Sequence, residues 1–282
     1  MSDDRLEQAL RDLLAHRAGS ACPSEVARAV GGERWRELMA PVRAAAGRLA
    51  ARREVEVTQR GQVVDVASAR GPVRVRRPQQ TYGRGMLPER RTARLDVLVP
   101  GSVAPQPDGT LRVTGTVSLV RDADRVLVVD PGMVPRREDL LDALAALGVR
   151  PSDVTDVVLS HHHPDHTLNV ALFPVVPVHD VQAVYEGDRW TRRPADGVLL
   201  APAVRLLATP GHTGQDVTTL VGTPDGVAAL THLWWTGEGP ADDPYAPDRA
   251  LLSAQRARVL EVADLVVPGH GPAFRPGEAT PR

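Results

Sequence analysis

The histidines constrain this 282-residue chain most: eight of its nine lie beyond residue 160. The densest run, Ser160-His161-His162-His163-Pro164-Asp165-His166, follows directly on the apolar stretch 154–159. An apolar run of that length, bounded by turn residues, reads as a buried strand. A fold that accepts this sequence must bury a strand and let it end at an open rim, where polar side chains converge.

The spacing has a chemical reading. His161 and His163 are two positions apart, so on extended backbone they point to the same side. Strand parity turns His162 away. Neutral imidazole is a good ligand for Zn²⁺, Fe²⁺ or Mn²⁺, and Asp165 and His166 lie just beyond, within reach of a second ion. Two further histidines follow glycine turns, in Thr209-Pro210-Gly211-His212-Thr213 and Val267-Pro268-Gly269-His270-Gly271. In both, glycine lets the backbone approach the site closely. His179, which follows a strand, reads as structural, and His16 belongs to the N-terminal region.

The segments around these motifs alternate between strand and helix. Residues 126–129 form a short apolar strand ending at Asp130-Pro131-Gly132. A helix over 137–147 places Leu140, Leu141, Leu144 and Leu147 on one face, and the strand 154–159 follows. Upstream, Leu6, Leu10, Leu13 and Leu14 fall at helical spacing. Pro23-Ser24-Glu25 reads as a helix start with Ser24 as N-cap, and Gly31-Gly32 as its stop. A third helical stretch begins near Glu33 and is broken or kinked at Pro41. Val55, Val57, the turn Arg60-Gly61, then Val63, Val64 and Val66 suggest a hairpin. The expected organisation is a small winged-helix-like domain over 1–77, a Pro/Gly/Gln/Arg-rich linker over 78–91, and a hydrolase domain over 92–282.

The order His-X-His-X-Asp-His, Pro-Gly-His and a late Pro-Gly-His-Gly resembles the metallo-β-lactamase superfamily, over about residues 93–275. Within it, the chain resembles the group of metallo-β-lactamase domain-containing protein one. That likeness lies in Gly115-Thr116-Val117-Ser118-Leu119-Val120, Leu172-Phe173-Pro174, Ala208-Thr209-Pro210-Gly211-His212 and 263–272. The first 77 residues resemble a bacterial winged-helix family of unknown function, through 24–32, Trp35 and Arg70-Gly71-Pro72. The resemblance implies an α+β class: an αββα sandwich preceded by a small winged-helix-like domain. It implies that His161, His163 and His212 hold one metal ion and that Asp165, His166 and His270 hold a second. It also implies that Asp130 orients the ligand loops.

One position departs from the pattern. The superfamily places a metal-bridging aspartate after the next buried strand, here 227–231, and this chain has His232. A carboxylate can hold two cations around a shared hydroxide; neutral imidazole has one lone pair for one metal. His232 either ligates a single ion or stands by. A mononuclear site, a weakly held second ion and an inactive site all follow from that exchange.

The expected activity is that of a metal-dependent hydrolase. A metal-activated hydroxide, with zinc as the first choice of metal (one or two ions), would attack an ester, thioester or related bond. Asp165 would orient the nucleophile or act as general base. No Gly-X-Ser-X-Gly elbow offers a serine nucleophile instead. Trp234-Trp235 and residues 237–247 either line a substrate mouth or pack as core and surface loop. The alternative class is a nucleic-acid-associated protein, directed by Arg43, Arg48, Arg52 and Arg53 of the head. Residues 1–80 carry 15 arginines against ten acidic residues, whereas the whole chain has a net charge of −1. Such an excess fits a solvated helix face better than a nucleic-acid surface. The single cysteine, Cys22, excludes intrachain disulfides and thiolate metal clusters. No signal peptide or membrane-spanning run is visible, so the expected setting is the cytoplasm, with a small molecule as substrate.

Overall fold

The computed structural model describes residues 3–15, 20–52, 54–76 and 93–282. Chain contacts divide it into two compact units, Met1–Thr81 and Tyr82–Arg282. The expected linker over 78–91, His16 and Arg53 lie outside the described residues.

The first unit is a helical region with a small sheet. Helix α1 (Asp3–Ala15) opens with Asp3 and Asp4, which suit the positive end of the helix dipole. Leu6, Leu10 and Leu14 form its buried face. Helix α2 (Pro23–Gly31) is capped by Cys22 rather than by Ser24. Pro23 takes the first helical position, where its missing N–H costs nothing. Glu25 Oε1 accepts from the Cys22 backbone N–H at 2.9 Å.

After the 3-10 segment Gly32–Leu38 comes helix α3 (Met39–Ala51). Pro41 therefore stands in the first turn of a helix and does not break one. The division falls earlier, and Arg34 is the residue with non-helical angles. Strands β1 (Glu56–Gln59) and β2 (Gln62–Val63) form the expected hairpin. Its turn residues Arg60 and Gly61 have φ of 52° and 83°, the left-handed pair that matches strand twist. A third strand, β3 (Arg74–Arg76), pairs with β1 and had no clear sequence signal. Val26, Ala27, Val42, Ala45, Ala46, Leu49, Val57 and Val75 complete this unit's core.

The second unit is built on two sheets. The first has seven strands. In chain order they are β4 (Arg94–Val99), β7 (Val117–Asp122), β8 (Arg125–Val129), β9 (Asp156–Val158), β10 (Val178–His179), β11 (Ala183–Glu186) and β12 (Arg189–Arg192). The second has five: β13 (Leu199–Ala201), β14 (Val204–Ala208), β15 (Val217–Thr223), β16 (Gly226–Thr231) and β17 (Leu265–Pro268). A separate hairpin joins β5 (Ser102–Pro105) to β6 (Leu111–Thr114).

Helix α4 (Arg137–Ala146) covers the first sheet, with Leu140 and Leu144 against Val117, Leu119, Val128 and Val157. Beyond the short helix α5 (Pro164–Thr167), helix α6 (Arg249–Leu260) covers the second, with Leu252 and Val259 against Leu207, Leu220, Ala229 and Val266. Alternation turns Ser118 to the opposite side of β7 from Val117 and Leu119. There Ser118, Val129, Leu230 and Val267 line a small cavity between the sheets. This is the αββα sandwich. Across it, Ala203 N donates to Asp122 Oδ2 at 2.6 Å. Among the described residues, no helix is long and apolar enough to cross a membrane.

The topology fixes where the site must be. β8 and β9 run parallel, as do β16 and β17. β14 and β16 are both antiparallel to β15, so they share a direction. All five strands therefore run out toward one rim, and each of the motif loops follows one of them.

Candidate metal centre

The loops after these strands bring His161, His163, Asp165, His166, His212, His232 and His270 together. Three overlapping groups form, each with its ligand-capable atoms within 4.8 Å of one another. They are His161, His163 and His212; Asp165, His166 and His270; and His161, His166 and His232. His161 Nε2 is 2.9 Å from His163 Nδ1, which is 3.3 Å from His212 Nε2. Asp165 Oδ2 lies 3.3 Å from His166 Nε2 and 3.6 Å from His270 Nε2. Tetrahedral coordination with Zn–N bonds of about 2.0–2.1 Å has an N···N edge of roughly 3.3 Å. The imidazole spacings are close to that edge.

The far sides of four of the rings are tied down. His166 Nδ1 meets Asp130 Oδ2 at 2.8 Å, His212 Nδ1 meets Asp243 Oδ2 at 2.7 Å, and His270 Nδ1 meets the Thr114 carbonyl at 3.0 Å. His161 Nδ1 lies 3.0 Å from Ser160 Oγ. An acceptor at Nδ1 puts the ring proton there and leaves Nε2 with a lone pair facing inward. This is the arrangement that orients metal-binding histidines. The donor set and its geometry therefore fit a divalent transition ion.

Asp130 does more than hold one ring. It sits at φ 52°, an uncommon conformation for a residue with a side chain. Its carboxylate accepts from Ser160 N and Ser160 Oγ, both at 2.6 Å, as well as from His166. Three hydrogen bonds keep the backbone in that conformation and connect β8 to the ligand loop. Backbone bonds from Gly132 N to His166 O and from Met133 N to Asp165 O close the same junction. Asp216 does similar work for the His212 turn, accepting from Gly211 N, Thr213 N and Thr213 Oγ1. Burial raises the Asp216 carboxyl to about 6, against the opposing pull of those bonds.

The electrostatics favour a cation. Burial holds His161 and His232 well below the ordinary histidine value, and the neighbouring imidazoles add to the effect. Burial brings His270 to about 4. These rings are neutral at pH 7 and keep their lone pairs. His166 is the exception: burial disfavours its charge, yet Asp130 and Asp165 raise it to about 9. Burial pushes the Asp165 carboxyl up, but His166 and His270 win and bring it to about 2.

His232 occupies the middle of the cluster. It is buried, its ring centroid lies 4.1–4.8 Å from those of His161, His166, His212 and His270, and its Nε2 is 2.9 Å from His270 Nε2. Among the described residues its Nδ1 has no hydrogen-bond partner. His162 is exposed and bonds to Asp180 at 3.1 Å, pointing away from the cluster. His179 is buried and paired with Asp156 at 2.9 Å, outside the cluster.

The two adjacent tryptophans separate. Trp234 is fully buried and donates to the Pro281 carbonyl. Trp235 faces the site, donates to Asp243 Oδ2 at 3.0 Å and stacks on Tyr245. Tyr245 is 61% exposed, 5.8 Å from the His212 ring and 6.2 Å from His163. Sequence reasoning missed Asp243 and Tyr245, although both lie in the loop it singled out. It also missed Arg256 on α6. That buried guanidinium donates to the carbonyls of Leu233, Pro240 and Ala241 and so supports the loop. No motif marks it, because its role depends on contacts across 15 to 23 positions of chain.

Of the head's arginines, Arg43 donates to the Ala69 and Gly71 carbonyls. Arg48 and Arg52 both bond to Glu7, and Arg52 also to Glu54. The described arginines of this cluster are engaged within their own unit.

Residues 111–274 match the family described as "Metallo-beta-lactamase superfamily", and residues 3–78 match "Protein of unknown function (DUF3253)". The human metallo-beta-lactamase domain-containing protein 1 is 42% identical over 159 residues, covering 53% of this chain and 59% of its own length. The Xenopus laevis protein of the same name is 34% identical over 178 residues, covering 57% of this chain and 72% of its own. This chain thus spans well under two thirds of the human relative. Among solved structures, a candidate metallo-beta-lactamase from Thermotoga maritima aligns with a TM-score of 0.53 at 20% identity. The alignment covers 66% of this chain and all of that one. A variant of AiiA from B. thuringiensis, solved with N-decanoyl-L-homoserine at its active site, aligns at 0.50 and 18% identity over 64% of this chain and 93% of its own. At such identities these structures speak for the fold alone. Fold, family match and histidine site agree: the second unit has a metallo-hydrolase fold with a candidate metal site, and the chain belongs to the metallo-beta-lactamase superfamily.

Proposed function

We propose that this chain is a metal-dependent hydrolase of small esters or thioesters, with zinc as its ion. In this reading, His161, His163, Asp165, His166, His212, His232 and His270 form the centre. The observation that carries it is the convergence of imidazole nitrogens whose opposite nitrogens are fixed by Asp130, Asp243 and the Thr114 carbonyl. Residues 1–77 are read as a winged-helix-like domain and 92–282 as the hydrolase domain, joined by 78–91.

When bound, zinc would supply a Lewis acid that activates water and polarises a carbonyl oxygen. The protein's own part is positional and electrostatic. Asp165 is ionised at neutral pH, because His166 and His270 hold its carboxyl near 2. It accepts a hydrogen bond from the attacking water and aims the oxygen at the carbonyl carbon. Asp243 keeps the His212 ring and the Trp235 indole in fixed orientation with one carboxylate oxygen. Trp235 and Tyr245 give the mouth an aromatic wall with a phenolic tip, suited to a small acyl group beside a polar leaving group. A nucleic-acid role through α3 lacks support from these contacts, since Arg43, Arg48 and Arg52 are already committed.

The test is a panel of p-nitrophenyl esters and acyl thioesters, offered to zinc-loaded and chelator-treated protein. Hydrolysis should require the metal, and Asp165→Asn should lower kcat by about 10²–10⁴-fold. If the zinc-loaded wild type hydrolyses neither class above the chelated control, the proposed substrate class is wrong.

A further inference from the structure

We propose that His232 makes this pocket a centre for one metal ion per chain, held by His161, His166 and His232. The inference rests on the metal-centre reading above and concerns the position and number of the ions. The ion expected at three imidazole nitrogens, with His166 giving up its Nε2 proton on binding, is a borderline divalent transition metal such as zinc or cobalt, not a hard cation that prefers oxygen.

Three observations carry it. First, His161, His166 and His232 are the one group of the three in which every member is buried. The other two contain the partly exposed His163 and Asp165. Second, among the described residues the buried imidazole nitrogens that lack hydrogen-bond partners belong here. His232 Nδ1 has none, and His166 Nε2 lies near Asp165 without hydrogen-bond geometry. Buried ring nitrogens are ordinarily satisfied, and an unsatisfied one calls for a partner such as an ion. Third, the space for the imidazole is built. A side chain at residue 269 would collide with the His232 ring, and that residue is glycine.

Ligand counting then limits the number of ions. A neutral imidazole has one lone pair to give. His161 also belongs to the group with His163 and His212, and His166 to the group with Asp165 and His270. An ion at the central position takes one ligand from each outer group and leaves each with two. Filling both outer groups instead would set two dications against each other in a buried pocket. The only carboxylate among the seven side chains is Asp165, which belongs to one outer group and so is not shared between the two. Like charges at short range in a poorly solvated site repel strongly. A carboxylate at position 232 would screen that repulsion, whereas an imidazole does not. In this arrangement His212 and His270 flank the ion, and the partly exposed His163 and Asp165 face water and substrate.

The experiment uses full-length protein stripped of metal and titrated with cobalt(II) alone, then with zinc alone. Bound ions per chain are measured by elemental analysis after gel filtration. Expected results are one tight ion in the wild type and two in His232→Asp. His166→Ala should lose the tight ion. His163→Ala should weaken it by about 10-fold at most, the low end of the range for residues outside the first coordination shell. Two tight ions in the wild type would overturn the inference and leave the hydrolase reading standing. Loss of the ion in His163→Ala would also overturn it, by placing the ion in an outer group. No ion in the wild type would defeat the metal-centre reading itself. If His232→Asp does not fold, the wild-type stoichiometry and His163→Ala still decide.

Discussion

At the scale of single residues, the ligand-type side chains depend on partners that sequence reasoning did not rank. His212 is the clearest case. Its Nδ1 is fixed by Asp243, which also accepts from Trp235 Nε1 and Tyr245 N. Asp243→Ala should free the His212 ring, lose the preference for the tautomer that presents Nε2, and weaken metal binding by about 10–100-fold. Competition with a chromophoric chelator measures this directly. Unchanged affinity would show that the ring is held by packing alone. Asp130, by contrast, was expected to orient the ligand loops. Its contacts with Ser160 and His166 show how, and its left-handed backbone shows that the residue is held in place by what it binds.

At the scale of elements, two contacts decide how the pieces hold. In the head, Glu54 joins α1 to the end of α3 through Arg11 and Arg52. Hydrogen bonds from Arg11 and then Arg52 hold its carboxyl at about 2, below the ordinary 4.5. A folded value below the unfolded one means the contribution is complete above pH ~4.5 and lost as pH falls toward 2. Acid unfolding of the head should therefore steepen in that window, and Glu54→Gln should flatten it; circular dichroism against pH at several temperatures reads the difference. In the body, Arg256 ties α6 to the mouth loop through three carbonyls. Arg256→Leu keeps apolar bulk over Trp234 but strands those acceptors. At about 1–3 kcal/mol for a buried group left unsatisfied, the body should lose at least that much in urea unfolding. A loss below about 0.5 kcal/mol, the level of an ordinary surface change, would mean that water replaces the guanidinium.

At the scale of the whole molecule, the site joins two sheets, so binding there must be linked to the stability of the fold. His161 and His166 follow strand β9 of the first sheet; His212, His232 and His270 follow strands of the second. An ion that binds only the folded state adds about 2.7 kcal/mol at a concentration 100-fold above its Kd. Zinc should thus raise the melting temperature of the intact protein by several degrees, and chelation should reverse it. No shift at saturating zinc would mean that the folded and unfolded chains bind it alike. Much of this architecture was legible in the sequence. The strand–helix–strand unit around α4, the run of ligand-type residues after β9, the Pro-Gly-His turns and the Arg60-Gly61 hairpin all depend on local signals: apolar periodicity, a turn pair with positive φ, and glycine where backbone comes close. Two local assignments failed for local reasons. Cys22 rather than Ser24 caps α2 because Pro23 claims the first helical position, and Pro41 is tolerated because it stands in a first turn. What only the tertiary structure decided was the company each residue keeps. Asp243, Arg256 and Tyr245 carry no motif, β3 is too short to show a period, and the sequence gives no sign that Trp234 packs into the core while Trp235 faces the site. Histidine type and spacing are encoded along the chain. Which nitrogen is tied, which is open and which rings meet at one point are set by five strands ending at one rim, a long-range arrangement that no local pattern contains.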